Sequence, residues 1–165
     1  MRDGPVARRG GGASRPPGAD RRLGLGDAQP GTVRRCRAFA WEALVAWGWL
    51  PAFDEDGQAA ADDVLLVVSE LVANACLHTV GPTELALSRR PGGEVRIEVA
   101  DPSSRRPVPR LTGRTGRPGG HGLRIVGVVA QHWGSLPTTA GKRVWAEIAA
   151  PGPRQPEPGG PARGQ

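Results

Sequence analysis

One long apolar segment, Val64 to Ala75, most constrains what this chain can fold into. Within it, Glu70 and Asn74 stand four residues apart. Four residues make about one helical turn, so a helix here presents both polar side chains on one face. The rest of the segment requires burial, and an unpartnered buried polar group costs about 1–3 kcal/mol. The segment therefore predicts a largely buried helix, over residues 59–78, whose Glu/Asn pair needs a shared partner.

A hydrated Mg²⁺ carried by a nucleotide would be such a partner. Asn74 offers a neutral oxygen ligand, and Glu70 can accept a proton from an attacking hydroxyl. Considered alone, the pair is better explained by a half-exposed helix that carries two unrelated polar residues. The sequence that follows reverses this preference.

The two ends of the chain are poor material for a core. Residues 1–28 consist mostly of Gly, Pro, Arg, Ala and Asp, and residues 151–165 are rich in Pro and Gly. Such segments bury too little apolar surface to offset the entropy of ordering, so we predict both tails to be disordered. The 165-residue chain is then one domain, over about residues 29–150.

Basic charge is concentrated in one part of that domain. The net charge is +6, of which the two tails hold +4 and the predicted domain +2. No acidic residue lies between Asp101 and Glu147. The basic residues in that interval are Arg105, Arg106, Arg110, Arg114, Arg117, Arg124, Lys142 and Arg143. Such a segment attracts phosphate on a nucleotide, a nucleic acid or an acidic protein.

The remaining composition favours a cytoplasmic protein without a membrane partner. Cys36 and Cys76 lack the spacing of a metal site or a disulfide framework, so core packing is expected for both. No segment approaches the roughly 20 apolar residues of a membrane span. The early arginines are not followed by the apolar stretch of a secretory signal.

The order of the predicted elements indicates a two-layer α+β sandwich. Apolar periodicity predicts helices over residues 32–50, about 59–78, and from Gly122 or Leu123 to Gly134, with Thr32 as the first N-cap. Alternation predicts strands over residues 83–90, 94–100, 135–139 and 143–148. Helices segregated from hairpins imply a mixed, mostly antiparallel sheet with helices on one face. Residues 102–120 lack periodicity, which is typical of a functional or mobile loop.

Two weaker sequence signals for ligand binding lie at the ends of predicted elements. Gly119-Gly120-His121-Gly122 precedes an apolar helix, where glycines allow close approach of a ligand and the helix N-terminus attracts anions. Such a loop is more often a flexible turn. Asp101 ends a strand and precedes Pro102, which suits either a turn or a carboxylate that accepts a hydrogen bond from a ligand amino group.

Three short segments give these signals a common interpretation: Glu70-Leu71-Val72-Ala73-Asn74-Ala75, Val99-Ala100-Asp101 and Gly120-His121-Gly122-Leu123-Arg124-Ile125-Val126. In order and spacing they resemble the three boxes of the Bergerat ATP-binding fold, which gyrase, chaperone ATPases and histidine kinases share. The resemblance is strongest to the stand-alone anti-sigma factor serine kinases and related actinobacterial regulators. It covers about residues 30–150, including a similar last strand, Gly141–Ile148.

The resemblance implies ATP and Mg²⁺ as ligands. The cofactor-binding positions that it implies are Asn74, Asp101, Gly120, Gly122 and Leu123. Asn74 would coordinate the Mg²⁺ that bridges the triphosphate, and Asp101 would bind the adenine amino group. Gly120 and Gly122 would line the phosphates, and residues 102–119 would form a lid over the nucleotide.

The resemblance also implies a reaction and partners. Glu70 would be the general base that activates a serine hydroxyl on an anti-sigma antagonist protein, and the chain would also hold a sigma factor or a similar partner. A homodimer is compatible with the resemblance. The activity that the resemblance implies is that of an ATP-dependent protein serine/threonine kinase. Phosphoryl transfer mainly requires positioning and charge neutralisation.

Two other functions compete with the kinase. The family's second box usually carries glycines after the Asp, whereas here Pro102, Ser103 and Ser104 follow. This departure bears on ATP affinity and favours a catalytically weak nucleotide-binding module that sequesters a partner. A nucleic-acid binder that uses the Arg-rich tails is disfavoured, because those tails lack interleaved aromatic residues.

Overall fold

The computed structural model describes residues 20–104 and 122–152, which form a five-stranded sheet and three helices. The elements in chain order are β1 (Asp20–Gly24), α1 (Thr32–Ala46), α2 (Glu55–His78), β2 (Glu84–Arg89), β3 (Val95–Asp101), α3 (Gly122–Val129), β4 (His132–Thr138) and β5 (Gly141–Ile148). Gly120, most of the predicted lid and most of the two predicted tails lie outside the described residues.

The described strands lie in the order β1-β2-β3-β5-β4, and every neighbouring pair is antiparallel. Burial alternates along β3, with Val95, Ile97 and Val99 buried and Arg96 and Glu98 half-buried. Because successive side chains of a strand point to opposite faces, one face of the sheet packs under the helices and the other does not. The predicted α+β class is confirmed, and the described sheet is antiparallel rather than mixed.

Helix α2 connects the two layers. It contacts α1 and α3, and it packs on β3 and β5. The residues that it buries completely or nearly so include Val64, Val67, Val68, Leu71 and Val72. Each such side chain contributes about 1.5–3 kcal/mol relative to an exposed position. The apolar segment singled out in the sequence is therefore the centre of the core.

Two helix starts differ from the predicted ones. Helix α2 begins at Glu55, ahead of the predicted start, because the Asp54 carboxylate accepts the N–H of Gly57 at 2.7 Å. This N-cap satisfies one of the unpaired donors at the helix end. Thr32, the predicted N-cap of the first helix, is instead its first residue, and the cap is Gly31 in the left-handed region at φ 90°.

The edge strand β1 corrects the predicted extent of the N-terminal tail. The composition predicts disorder over residues 1–28, but Asp20–Gly24 pair with β2 along the whole strand. Leu23 packs against the core, and Arg22 forms an ion pair with Glu84 at 2.8 Å. Pairing with β2 orders residues 20–24, so the composition of this segment alone does not predict a strand.

The third helix is shorter than predicted. It ends at Val129, and Trp133 and Gly134, which the periodicity places in the helix, lie in β4. Gly134 stands opposite Trp145 of β5, and a Cβ on Gly134 would lie 3.0 Å from the Trp145 ring. The glycine leaves room for the indole across the strand pair, a relation that no local pattern encodes.

The sheet face away from the helices carries a network of alternating charges, the charged face, formed by Arg22, Glu84, Arg96, Glu98, Arg143 and Glu147. Neighbouring members form ion pairs with N···O distances from 2.7 to 3.2 Å. The Arg96 guanidinium also lies 4.1 Å from the centroid of the Trp145 ring. Exposed pairs contribute about 0–1 kcal/mol each, so the main effect of the network is to keep this face polar.

Both cysteines contribute to packing, as predicted. Cys36 is completely buried, and Cys76 is partly buried against the core. Burial raises the pKa of the Cys36 thiol to about 11, against a smaller lowering by Arg35. The thiol therefore stays protonated at neutral pH.

None of the helices in residues 20–104 and 122–152 combines the length and the apolar character that crossing a membrane requires.

Replacing Gly141 with alanine should destabilise the fold. Gly141 has φ 141°, and a Cβ there would overlap the Asp101 carbonyl and lie 2.6 Å from backbone atoms of Pro102. The backbone conformation alone should cost about 1–3 kcal/mol, and the overlap adds to this. Urea unfolding measures the loss. Gly24→Ala is the control, since a Cβ there meets no atom within 4 Å; equal losses in both variants would contradict the prediction.

Glu147 should contribute to acid unfolding. Burial raises its pKa, but the hydrogen bond and charge of Arg96, with help from Arg90, outweigh this and leave the pKa below its ordinary value of 4.5. A lowered folded-state pKa adds stability above the unfolded-state value, and that stability is lost as the pH falls through the folded-state value.

We therefore expect Glu147→Gln to flatten the fall in unfolding free energy as the pH drops below about 4.5, the ordinary pKa of this residue. Urea unfolding at a series of pH values measures the slope. Glu42→Gln is the control, because Glu42 is exposed on α1 and forms no ion pair with another described residue. An unchanged acid slope in Glu147→Gln would contradict the assignment.

Candidate functional site

Glu70 and Asn74 lie one turn apart on α2, as the sequence predicts, and both are half-buried. Their neighbours Leu71, Val72 and Ala75 are buried in the core. Neither polar side chain forms a hydrogen bond with another described residue. A half-buried carboxylate and carboxamide without such partners have hydrogen-bonding capacity available for a ligand.

The Glu70 carboxylate lies against the first residue of α3. A Cβ built on Gly122 would lie 2.6 Å from Glu70 Oε2 and 3.7 Å from Glu70 Cβ. Glycine is therefore the residue that fits while the carboxylate holds this position. The partial positive charge of a helix N-terminus also attracts a carboxylate, an interaction typically worth about 0.3–1 kcal/mol. Two predicted site residues from distant parts of the chain are thus adjacent.

Asp101, the last residue of β3, is buried and has two donors on one carboxylate oxygen. Its Oδ1 accepts a hydrogen bond from Lys142 Nζ at 2.8 Å and one from the backbone N–H of Ser103 at 2.9 Å. The Lys142 side chain is 7% exposed and the Asp101 side chain 2%. Within the described part of the chain, no hydrogen bond reaches Asp101 Oδ2.

Lys142 is a site residue that the sequence analysis missed. It is the one lysine among the 22 basic residues of the chain, and it stands opposite Asp101 in the pairing of β3 with β5. A signal was present, since alternation puts Lys142 on the same face as Val144, Ala146 and Ile148, all of them buried. A lysine in phase with a buried apolar series requires an anionic partner.

The buried pair is not explained by stability alone. Taking two charges out of water costs several kcal/mol per ion, and a hydrophobic pair of similar volume is often as stable or more so. Removing one partner, in contrast, leaves an uncompensated buried charge. The buried Asp–Lys pair at the end of the sheet is therefore a candidate functional position.

The remaining predicted binding residues are Leu123 and Gly120. The Leu123 side chain is buried in the core, so its backbone alone is left to contact a ligand. Gly120 lies outside the described residues, and its contact with phosphate stays a prediction. No hydrogen bond or ion pair within the described residues joins Asp101 to Glu70 or Asn74.

The predicted phosphate-attracting cluster is partly neutralised. Lys142 is paired with Asp101, and Arg143 is paired with Glu84 and Glu98 on the charged face. Arg124 of α3 is exposed and has no carboxylate partner among the described residues. The other five members of the cluster lie outside the described residues. Within the described part, Arg124 is therefore the available cation of this set.

The donor set fits a metal ion that arrives with a nucleotide. The described residues contain no group of three or more His, Cys, Asp or Glu side chains that could enclose a metal. Mg²⁺ is usually held by one or two protein oxygens, with phosphates and waters completing its shell. The Asn74 amide oxygen, one turn from the Glu70 carboxylate, suits that arrangement.

A cavity of about 510 Å³ lies elsewhere, at the start of α1. Asp27, Arg34 and Arg35 are among its lining residues. None of the predicted binding or catalytic residues lines it, so this cavity does not support the predicted nucleotide site.

Comparisons with known proteins leave the family of this chain open. No model of a known protein family matches the chain, and no curated protein matches it. A functional proposal therefore rests on the sequence segments described above and on the arrangement of Glu70, Asn74, Gly122, Asp101 and Lys142.

Proposed function

We propose that this chain is an ATP-binding regulator of the anti-sigma factor type, with a Bergerat-type ATP site, that phosphorylates a serine or threonine of an anti-sigma antagonist protein. The observation that carries the proposal is the position of Glu70. Its carboxylate lies on the first residue of α3, with Gly122 making room for it, and Asn74 stands one turn further along α2. The three-box resemblance of the sequence supports the same function.

The proposed roles divide between binding and chemistry. ATP with Mg²⁺ would supply the γ-phosphoryl group that is transferred. Asn74 would contribute a neutral oxygen ligand to the metal, and Asp101 would accept a hydrogen bond from the adenine amino group. Glu70 would take the proton of the partner's hydroxyl as that oxygen forms its bond to the γ-phosphorus, which is general-base catalysis. The bond from the γ-phosphorus to the β–γ bridging oxygen would break in the same transfer, and ADP would leave with its electron pair.

Binding without transfer is a second candidate function, and one observation favours it. Asp101 already carries Lys142 and the Ser103 N–H on Oδ1, and Pro102 and Ser103 replace the glycines expected there. A stiffer backbone, and an Asp101 carboxylate that already has two donors, would suit a module that binds a nucleotide and a partner protein but transfers little phosphate.

A structural role for Glu70 is also consistent with its position. A carboxylate beside the N-terminus of α3 stabilises that helix whether or not a nucleotide binds. Stability and activity therefore have to be measured on the same variants, because a structural carboxylate affects stability alone.

Asn74→Ala should weaken the binding of ATP in the presence of Mg²⁺. Loss of one interaction with a charged group costs about 1.5–3 kcal/mol, which corresponds to a tenfold or larger rise in Kd. Calorimetric titration of ATP and MgCl₂ into both proteins measures the change. Gln58→Ala is the control, since Gln58 is exposed near the start of α2. Absence of binding to the unaltered chain would overturn the nucleotide site.

Glu70→Gln should separate transfer from binding. The amide keeps the size of the side chain but cannot accept the proton, so ADP formation should fall by about 10²–10⁴-fold. ATP affinity should stay within about threefold, a change below 1 kcal/mol. ADP is measured with the purified chain and MgATP, with and without antagonist domains that carry an acceptor serine. Glu42→Gln, on the exposed face of α1, is the matched control.

The outcomes of that experiment separate the two functions. Unchanged ADP formation in Glu70→Gln would exclude the proposed base. ATP binding without ADP formation in the unaltered chain would favour the binding module.

A further inference from the structure

The contacts of Asp101 distinguish its two carboxylate oxygens. Oδ1 receives the Lys142 ammonium and the Ser103 N–H, whereas no described residue donates to Oδ2. The Lys142 ammonium also donates to the Ser103 carbonyl, at 3.3 Å. Lys142 thus holds both the Asp101 carboxylate and the backbone that follows it. Asp101 Oδ2 is left as a hydrogen-bond acceptor.

The backbone around this pair is closely packed. Asp101 and Lys142 are partners in the register of β3 and β5, and Gly141 lies so close that a Cβ on it would overlap the Asp101 carbonyl. The residues that replace the expected glycines form part of this arrangement, because Ser103 supplies both a donor and an acceptor to it. The carboxylate is therefore held in one orientation by Lys142 of β5 and by the backbone that follows β3.

We propose that Lys142 is a specificity-determining positioning residue, which holds Asp101 as an ionised, acceptor-only group and so selects a purine with a 6-amino group over one with a 6-oxo group. This inference rests on the proposed function, because it requires a nucleotide base at Asp101. The contact of Asp101 with the 6-amino group is part of that function, and the role of Lys142 in controlling it is the addition.

The selection follows from hydrogen-bond chemistry. An ionised carboxylate can only accept hydrogen bonds, so it pairs with an amino group and opposes a carbonyl oxygen. A buried polar group that a ligand leaves unpaired gives strong discrimination against that ligand. Lys142 maintains the ionised form, since its ammonium provides the counter-charge that a buried carboxylate requires.

Removal of the ammonium should relax this preference. A buried carboxylate without a counter-charge is stabilised by taking up a proton. A carboxyl group that carries a proton can donate to a 6-oxo group as well as accept from a 6-amino group. The loss of Lys142 should therefore reduce discrimination between the bases, and a purely structural role would leave discrimination unchanged.

The test compares ATP with inosine triphosphate, which carries an oxo group at position 6 of the purine. Calorimetric titration with Mg²⁺ gives both Kd values for the unaltered chain and for Lys142→Met, Lys142→Gln and Lys142→Arg. We expect the unaltered chain and Lys142→Arg to prefer ATP by about 100-fold or more, and the Met and Gln variants by less than about tenfold. Lys142→Gln supplies the measurement if Lys142→Met does not fold.

Arg143→Met is the matched control. Arg143 is the next residue of β5, but its side chain pairs with Glu84 and Glu98 on the charged face. This variant loses ion pairs, and urea unfolding should report lower stability, while the ratio of the two Kd values stays as in the unaltered chain. A changed ratio in Arg143→Met would overturn the assignment of specificity to Lys142.

The failure of this inference differs from the failure of the proposed function. If the unaltered chain binds neither nucleotide, the proposed nucleotide site is wrong. If it binds ATP and the Lys142→Met and Lys142→Gln variants retain its preference over inosine triphosphate, the site stands and the role of Lys142 is overturned.

Discussion

The packing of α2 on β3 and β5 is the interaction on which the rest of the structure depends. Val64, Val68 and Leu71 are buried there together with Ile97 and Val99 of the sheet, and the hydrophobic effect makes such burial the main source of stability. Because the apolar side of α2 must face the sheet and its neighbouring helices, the orientation of its two polar residues is fixed as well. Glu70 is held against α3, and Asn74 follows one turn later. The candidate site is thus a consequence of how the core is packed.

Charged groups occupy the sheet in two different ways. On the charged face, Arg96 and Glu147 remain partly exposed and each forms more than one ion pair. Each of these side chains therefore keeps a partner if one of its pairs is lost. Asp101 and Lys142 are instead buried on the other side of the same strands. An ion pair in that environment carries a desolvation cost that exposed pairs avoid. The difference in environment, rather than the pairing itself, distinguishes Asp101 and Lys142 from the charged face.

The sequence predicts some elements of this fold correctly and misplaces others. The periodicity around Leu71 predicts α2 and its Glu70–Asn74 spacing, and the alternation of Val95, Ile97 and Val99 predicts β3. The same methods place Trp133 in a helix, because its neighbours have helical spacing while its partner in β5 is distant in sequence. They also leave β1 in a disordered tail, because a strand with little apolar surface is ordered by pairing with a neighbour. The alternation along β5 places Lys142 on the same face as Val144, so its burial could have been predicted from the sequence. That alternation could not identify Asp101 as its anionic partner.

The sequence by itself determined the α+β class, the apolar side of α2, the placement of Glu70 and Asn74 one turn apart within α2, and the position of Asp101 at the end of β3. These are properties of local periodicity, which depends only on the order of residues within each segment. The tertiary structure alone decided that Glu70 meets Gly122 and that Asp101 pairs with Lys142. Such contacts join residues far apart in the chain, and they arise only when sheet register and helix packing are set together.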